Sequence, residues 1–156
     1  MLALDEEIAE LDALIQARFN EHRHATVIRS LPGMGTVLSV EFIAATGGDL
    51  DAFGTADRLA SFAGLSPVPR DSGRVSGNMR RPRRYHRGLL RAFYLSAMAS
   101  LRTCSASQAY YGRKRNEGKG HKQALLALAR RRANVLWAML RDGECHEALP
   151  TVTAPA

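Results

Sequence analysis

Leu4, Ile8, Leu11 and Ile15 recur at steps of four, three and four, and Phe19 and His22 continue the rhythm. That spacing predicts a helix from residue 2 to about 29 with an apolar seam of the coiled-coil kind. Acids crowd its first half (Asp5, Glu6, Glu7, Glu10, Asp12) and bases its second (Arg18, Arg23, Arg29), the order that the helix macrodipole favours. So short a seam is marginal in isolation, so it packs on the rest of the chain or pairs with a second copy. The apolar helices downstream supply their own core, which favours self-association. Leu31-Pro32-Gly33-Met34-Gly35-Thr36 then reads as a tight turn into an apolar helix from Val37 to Ala45. Thr55 or Asp57 caps a short helix through Phe62, and Pro67, Pro69, Gly73, Gly77 and Pro82 keep the next stretch irregular or hairpin-like. A helix from Gly88 to about Thr103 turns Leu89, Leu90, Phe93, Tyr94, Ala97 and Met98 inward. Ser105 or Ser107 caps another, which carries Tyr110 and Tyr111. The last, from Lys122 to about Arg141, buries Leu125, Leu128, Ala129, Val135, Leu136 and Met139, with Arg130-Arg131-Arg132 on or beside its exposed face. The expected fold is all-α: a coiled-coil-type helix over 1–29, a compact helical domain over 30–143 with a helix-hairpin-helix-like element and an irregular basic loop, and a flexible tail over 144–156.

Charge sharpens this picture. Residues 1–60 hold four Lys/Arg and ten Asp/Glu, a balance of −6, whereas residues 61–156 hold eighteen and five, a balance of +13. The overall +7 conceals this polarity, which points to a polyanionic partner, DNA or RNA before an anionic membrane. No run of 18 apolar residues supports a membrane span, and the acidic start lacks the basic region of a secretory signal. Cys104 and Cys145 have no metal-type spacing and read as reduced thiols of a cytoplasmic protein. With only 6% aromatic residues, base stacking is excluded as the main mode of recognition.

Residues 70–91 contain eight arginines and one acid. Arg70, Arg74, Arg80, Arg81, Arg83 and Arg84 can neutralise backbone phosphates or the charge of a pentacovalent phosphorus transition state. Ser72 and Ser76, each followed by glycine, are the candidate nucleophiles, and His86 a candidate base or leaving-group acid. A solvated basic loop with turn-forming serines accounts for the same residues. Gly33 and Gly35 suit a helix-hairpin-helix that offers backbone amides to a phosphate, and equally a ligand-free αα-turn. His121 and Lys122 open a helix where an anion can dock, with Arg130, Arg131 and Arg132 further along it. Gly118-Lys119-Gly120 lacks the frame of a P-loop, and neither the His22/His24 pair nor the dispersed acids build a metal site. No cofactor is expected in this chain.

Taken in order, Leu31-Pro32-Gly33-Met34-Gly35, Phe62-Ala63-Gly64-Leu65-Ser66-Pro67, Asp71-Ser72-Gly73, Tyr110-Tyr111-x-Arg113-Lys114-Arg115, Gly118-Lys119-x-His121-Lys122-x-Ala124 and Val135-Leu136-Trp137-Ala138-Met139-Leu140 form a spaced series. The series resembles the C-terminal domain of the IS110/IS116/IS902 family of insertion-sequence transposases over roughly residues 25–143, and the preceding helix resembles the family's coiled-coil linker. The resemblance implies a DNA recombinase guided by a structured RNA and assembled as a multimer. It implies a RuvC-like domain with an Asp-Glu-Asp-Asp site for Mg2+ and a second domain with a serine nucleophile, which falls on Ser72, with Ser76 as the alternative. This chain starts in the coiled-coil region without the RuvC-like domain, so no recombination is expected of it alone. Its basic loop is also richer in arginine than the Ser-Lys-x-Gly-Asn pattern of the family.

Overall fold

The computed structural model describes residues 2–74, 76, 77 and 79–147. Seven helices and one two-stranded ribbon follow in the order α1 Leu2–Asn20, α2 Ala25–Ser30, α3 Thr36–Thr46, α4 Ala56–Phe62, β1 Val68–Pro69, β2 Met79–Arg80, α5 Arg87–Ser100, α6 Ser105–Asn116 and α7 His121–Asp142. The fold is all-α, as the periodicity predicts. Helix α7 is its axis: α2, α4, α5 and α6 all pack against it, while α3 lies on α5. Leu125, Leu128, Ala129, Ala133 and Leu136 form its buried stripe, and Phe42 of α3 meets Phe93 of α5 edge to face at 5.9 Å.

The single helix expected over 2–29 is two. The break at Glu21–His24 has no proline or glycine to announce it. Instead His22 Nδ1 accepts from the His24 amide at 3.2 Å, and the His22 carbonyl accepts from Ala25 at 2.9 Å. A side chain thus takes a backbone donor that a continuous helix needs. The turn also brings Phe19 into the core and lets α2 bury Ala25, Val27 and Ile28. The seam of α1, by contrast, faces solvent: Leu4, Ile8, Leu11, Leu14 and Ile15 are all exposed.

Two smaller expectations are corrected as well. Helix α6 begins one turn position earlier than a serine cap requires, with Cys104 at the N-cap in place of Ser105 or Ser107. Met98 is exposed, because the buried face of α5 runs through Leu89, Ala92, Phe93, Ser96, Ala97 and Ser100. Thr55 does cap α4, its hydroxyl accepting from the Arg58 amide at 3.2 Å. The tail beyond residue 147 lies outside the described residues.

Candidate nucleic-acid interface and nucleophile

The basic segment leaves the helical body as a hairpin clamped at its base. Gly64 has φ +71°, and a Cβ there would stand 2.6–2.9 Å from Tyr85, so glycine alone lets the outgoing chain pass the returning one. The His86 amide donates to the Phe62 carbonyl at 2.7 Å, and the two side-chain rings lie 5.4 Å apart. Buried Leu65 fixes the outgoing arm. Beyond this clamp Val68 pairs with Arg80 and Pro69 with Met79 in antiparallel register. Every described residue from 67 to 84 except Pro82 is exposed.

This geometry gathers Ser72, Ser76 and Arg70, Arg74, Arg80, Arg81, Arg83 and Arg84 on one projection in solvent. Arg81 lies over the Tyr85 ring at 5.7 Å. Six guanidinium groups on so short a ribbon concentrate positive charge at one exposed end of the fold. Ser72 sits at an isolated bridge position near the outer end of the ribbon. His86 is engaged elsewhere: its Nδ1 accepts from the Leu89 amide at 3.0 Å and caps α5. While Nδ1 accepts that amide it cannot also take a serine proton, so the cap competes with the role of base.

The remaining candidates separate into surface and interior. His121 and Lys122 are exposed at the first turn of α7, and the Tyr111 hydroxyl and His121 Nδ1 share a hydrogen bond of 2.6 Å. Gly35 is the N-cap of α3 and has no atom within 4 Å of its missing side chain, leaving that helix end open. Gly33 is enclosed instead: its missing Cβ points at the α5 backbone, 2.5 Å from the Ser96 oxygen and 2.8 Å from the Ser100 nitrogen. Its closeness to backbone serves helix packing.

The three arginines expected on or beside one face of α7 have three different environments. Arg131 is exposed. Arg130 bonds Asp57 and the Ala56 carbonyl, tying α7 to the start of α4. Arg132 is 4% exposed, donating to Ser96 Oγ at 2.7 and 3.1 Å and to the Pro32 carbonyl. Burial pushes its guanidinium down to about 10. Arg132 is thus a structural brace between α7, α5 and the Pro32-Gly33 turn, a correction to its placement among surface contacts.

One cationic cluster escaped the sequence reading. The Tyr110 ring is flanked by Arg131 at 4.9 Å, Arg113 at 5.0 Å and Lys114 at 5.6 Å, joining α6 to α7. The i, i+3 and i+4 spacing of Tyr110, Arg113 and Lys114 was its signal. Among the described residues no three His, Cys, Asp or Glu side chains gather into a metal-binding group. The residues present do not fit the Mg2+ site that the resemblance implies for the parent. No described helix is long and apolar enough to cross a membrane.

The model of the family described as Transposase IS116/IS110/IS902 matches residues 25–112. The uncharacterized 42 kDa protein of insertion element IS900 from Mycobacterium paratuberculosis is 62% identical over 154 residues, covering 99% of this chain and 39% of the relative. The 44.8 kDa protein of IS116 from Streptomyces clavuligerus is 52% identical over 156 residues, 100% of this chain and 39% of the relative. The 43.6 kDa protein of IS110 from Streptomyces coelicolor is 43% identical over 148 residues, 95% of this chain and 36% of the relative. The chain thus spans under two-fifths of the length of these curated relatives.

Proposed function

We propose that this chain, a member of the IS116/IS110/IS902 transposase family, supplies the serine nucleophile and the phosphate-binding hairpin of a cytoplasmic insertion-element transposase. The observation that carries the proposal is the projection of Ser72 into solvent among six exposed arginines, on a ribbon clamped at its base. In the proposed step Ser72 Oγ attacks a DNA phosphorus. The Oγ–P bond forms, the P–O bond to one sugar oxygen breaks, and that oxygen leaves with a proton as a free hydroxyl. The arginines hold the non-bridging oxygens as their charge grows. A base outside this chain's assigned residues takes the serine proton, and a structured guide RNA selects the site. Gly35, His121, Lys122 and Arg131 form the further phosphate contacts. Arg130, Arg132 and Gly33 support them from within the fold.

Covalent capture tests the reaction. The full-length transposase is mixed with guide RNA and DNA carrying the element end, then denatured. An adduct that maps to Ser72 supports the reading, and salt-sensitive binding without any adduct overturns it. That second outcome would favour a non-catalytic binding or assembly module, a reading supported by the commitment of His86 to its cap.

The hairpin contacts have their own measure. Replacing Arg83 with Ala is expected to lower affinity for duplex DNA of any sequence and to reduce the slope of log K against log salt by about 0.9. An unchanged slope would remove Arg83 from the interface.

The exposed seam of α1 fits pairing with a second copy. Its lower end runs into an apolar groove of about 360 Å3 lined by Leu14, Ile15, Phe19, Val40, Ile43 and Ala44. Leu11→Asp is expected to shift the chain from oligomer to monomer in sedimentation, with its helical content retained. An unchanged sedimentation coefficient would leave α1 without this role.

A further inference from the structure

The α6 N-terminus, the Pro32 turn, α7 and residues 144–147 enclose a cavity of about 490 Å3 that both cysteines line. Its position is set by the fold: the His146 amide donates to Ser30 Oγ at 2.8 Å and the Glu144 amide to the Met139 carbonyl at 3.0 Å, holding the C-terminal segment against α2 and α7. Cys104 stands at the N-cap of twelve-residue α6 without a capping oxygen. In front of it lie the Ala106 and Ser107 amides and the Ser107 hydroxyl, and beside it the buried Arg132. Among the described residues the hydrogen-bond partners of Arg132 are the neutral oxygens of Ser96 and Pro32, with no carboxylate paired to its charge. Of the acids that line it, Asp142 is held by Arg141, while Glu144 and Glu147 sit on the C-terminal segment. A thiolate at Cys104 would complete this set of donors.

We propose that Cys104 is a peroxide-reactive thiolate and that Cys145, which lines the same cavity, resolves it into a disulfide that fastens residues 144–147 to the start of α6. Burial works against the Cys104 thiolate, but the hydrogen bonds from Ser107 and Ala106 and the charge of Arg132 outweigh it and hold the thiol below its ordinary range. The chemistry closes in two steps. Cys104 sulfur attacks one peroxide oxygen, the O–O bond breaks, and water leaves a sulfenic acid. Cys145 sulfur then attacks that sulfur, the S–O bond breaks, and a second water departs. Two thiols are oxidised by two electrons while one hydrogen peroxide is reduced to two waters. None of this rests on transposition.

The test is mass spectrometry of the 156-residue chain after one equivalent of hydrogen peroxide at neutral pH. The wild type is expected to lose about 2 Da and to yield a linked Cys104–Cys145 peptide. Cys145→Ser is expected instead to accumulate a dimedone-trapped sulfenic acid at Cys104. Ser107→Ala, which removes one donor, is expected to slow iodoacetamide labelling of Cys104 and leave Cys145 unaffected. Oxidation no faster than in urea, first attack at Cys145, or a link between two chains would each overturn the proposal.

Discussion

Replacing Ser72 with Ala is expected to reduce strand transfer by the full-length transposase on the order of 10⁴-fold or more, the scale of loss when a covalent nucleophile is removed. Folding and DNA affinity should stay intact, for physical reasons. Ser72 is exposed on a projecting ribbon, where removing a hydroxyl changes stability within roughly 0.5 kcal/mol. The phosphate contacts belong to arginines that the substitution leaves in place. A protein that binds normally but forms no adduct is thus the expected phenotype, read from adduct gels beside a binding isotherm. Ser76→Ala serves as the internal comparison, since Ser76 shares the ribbon, the glycine neighbour and the exposure. Wild-type strand transfer by Ser72→Ala would sink the assignment, and loss confined to Ser76→Ala would move it four residues along.

Much of the fold was legible because local chemistry and tertiary packing agreed. Thr55 before Ala56 announces a helix start, glycine and proline flank the hairpin, and the stripe from Leu125 to Leu136 announces the face that α7 buries. The failures have physical causes. At His22 the apolar rhythm continues while a ring nitrogen takes a backbone amide, an event that periodicity does not register. Arg132 misled by its neighbours: three consecutive arginines read as one charged face. Yet Arg132 lies four residues after Leu128, three after Ala129 and four before Leu136, squarely on the buried stripe. Its acceptors, Ser96 and Pro32, come from segments 36 and 100 residues away. The basic ribbon could be read as a site because its residues are contiguous. The Arg131 side of the Tyr110 cluster and the Cys104–Cys145 cavity need distant segments to meet, so they became visible only in the folded chain.

Gly33→Ala separates the two meanings of the Leu-Pro-Gly turn, and its expected effect is on stability. The backbone at Gly33 has φ +79°, a conformation that costs an L-residue roughly 1–2 kcal/mol. The new methyl would also stand 2.5 Å from the Ser96 oxygen and 2.8 Å from the Ser100 nitrogen. Both are backbone atoms of α5 and cannot swing aside, so the turn must lift from the helix, a further cost of about 1–3 kcal/mol. The displacement would also pull the Pro32 carbonyl from Arg132, whose buried charge relies on that acceptor. The sum is about 2–5 kcal/mol, and thermal unfolding followed by circular dichroism should move down by roughly 5–15 °C for a domain of this size. Gly35→Ala is the control: φ is −72° and the space is open, so only a fraction of a kcal/mol of capping preference is at stake. If Gly33 instead presented its amide to a phosphate from an open loop, Gly33→Ala would weaken DNA binding and leave the melting temperature where it was. The enclosure of Gly33 by α5 predicts the opposite pattern: the melting temperature falls, and folded protein at low temperature binds DNA with unchanged affinity.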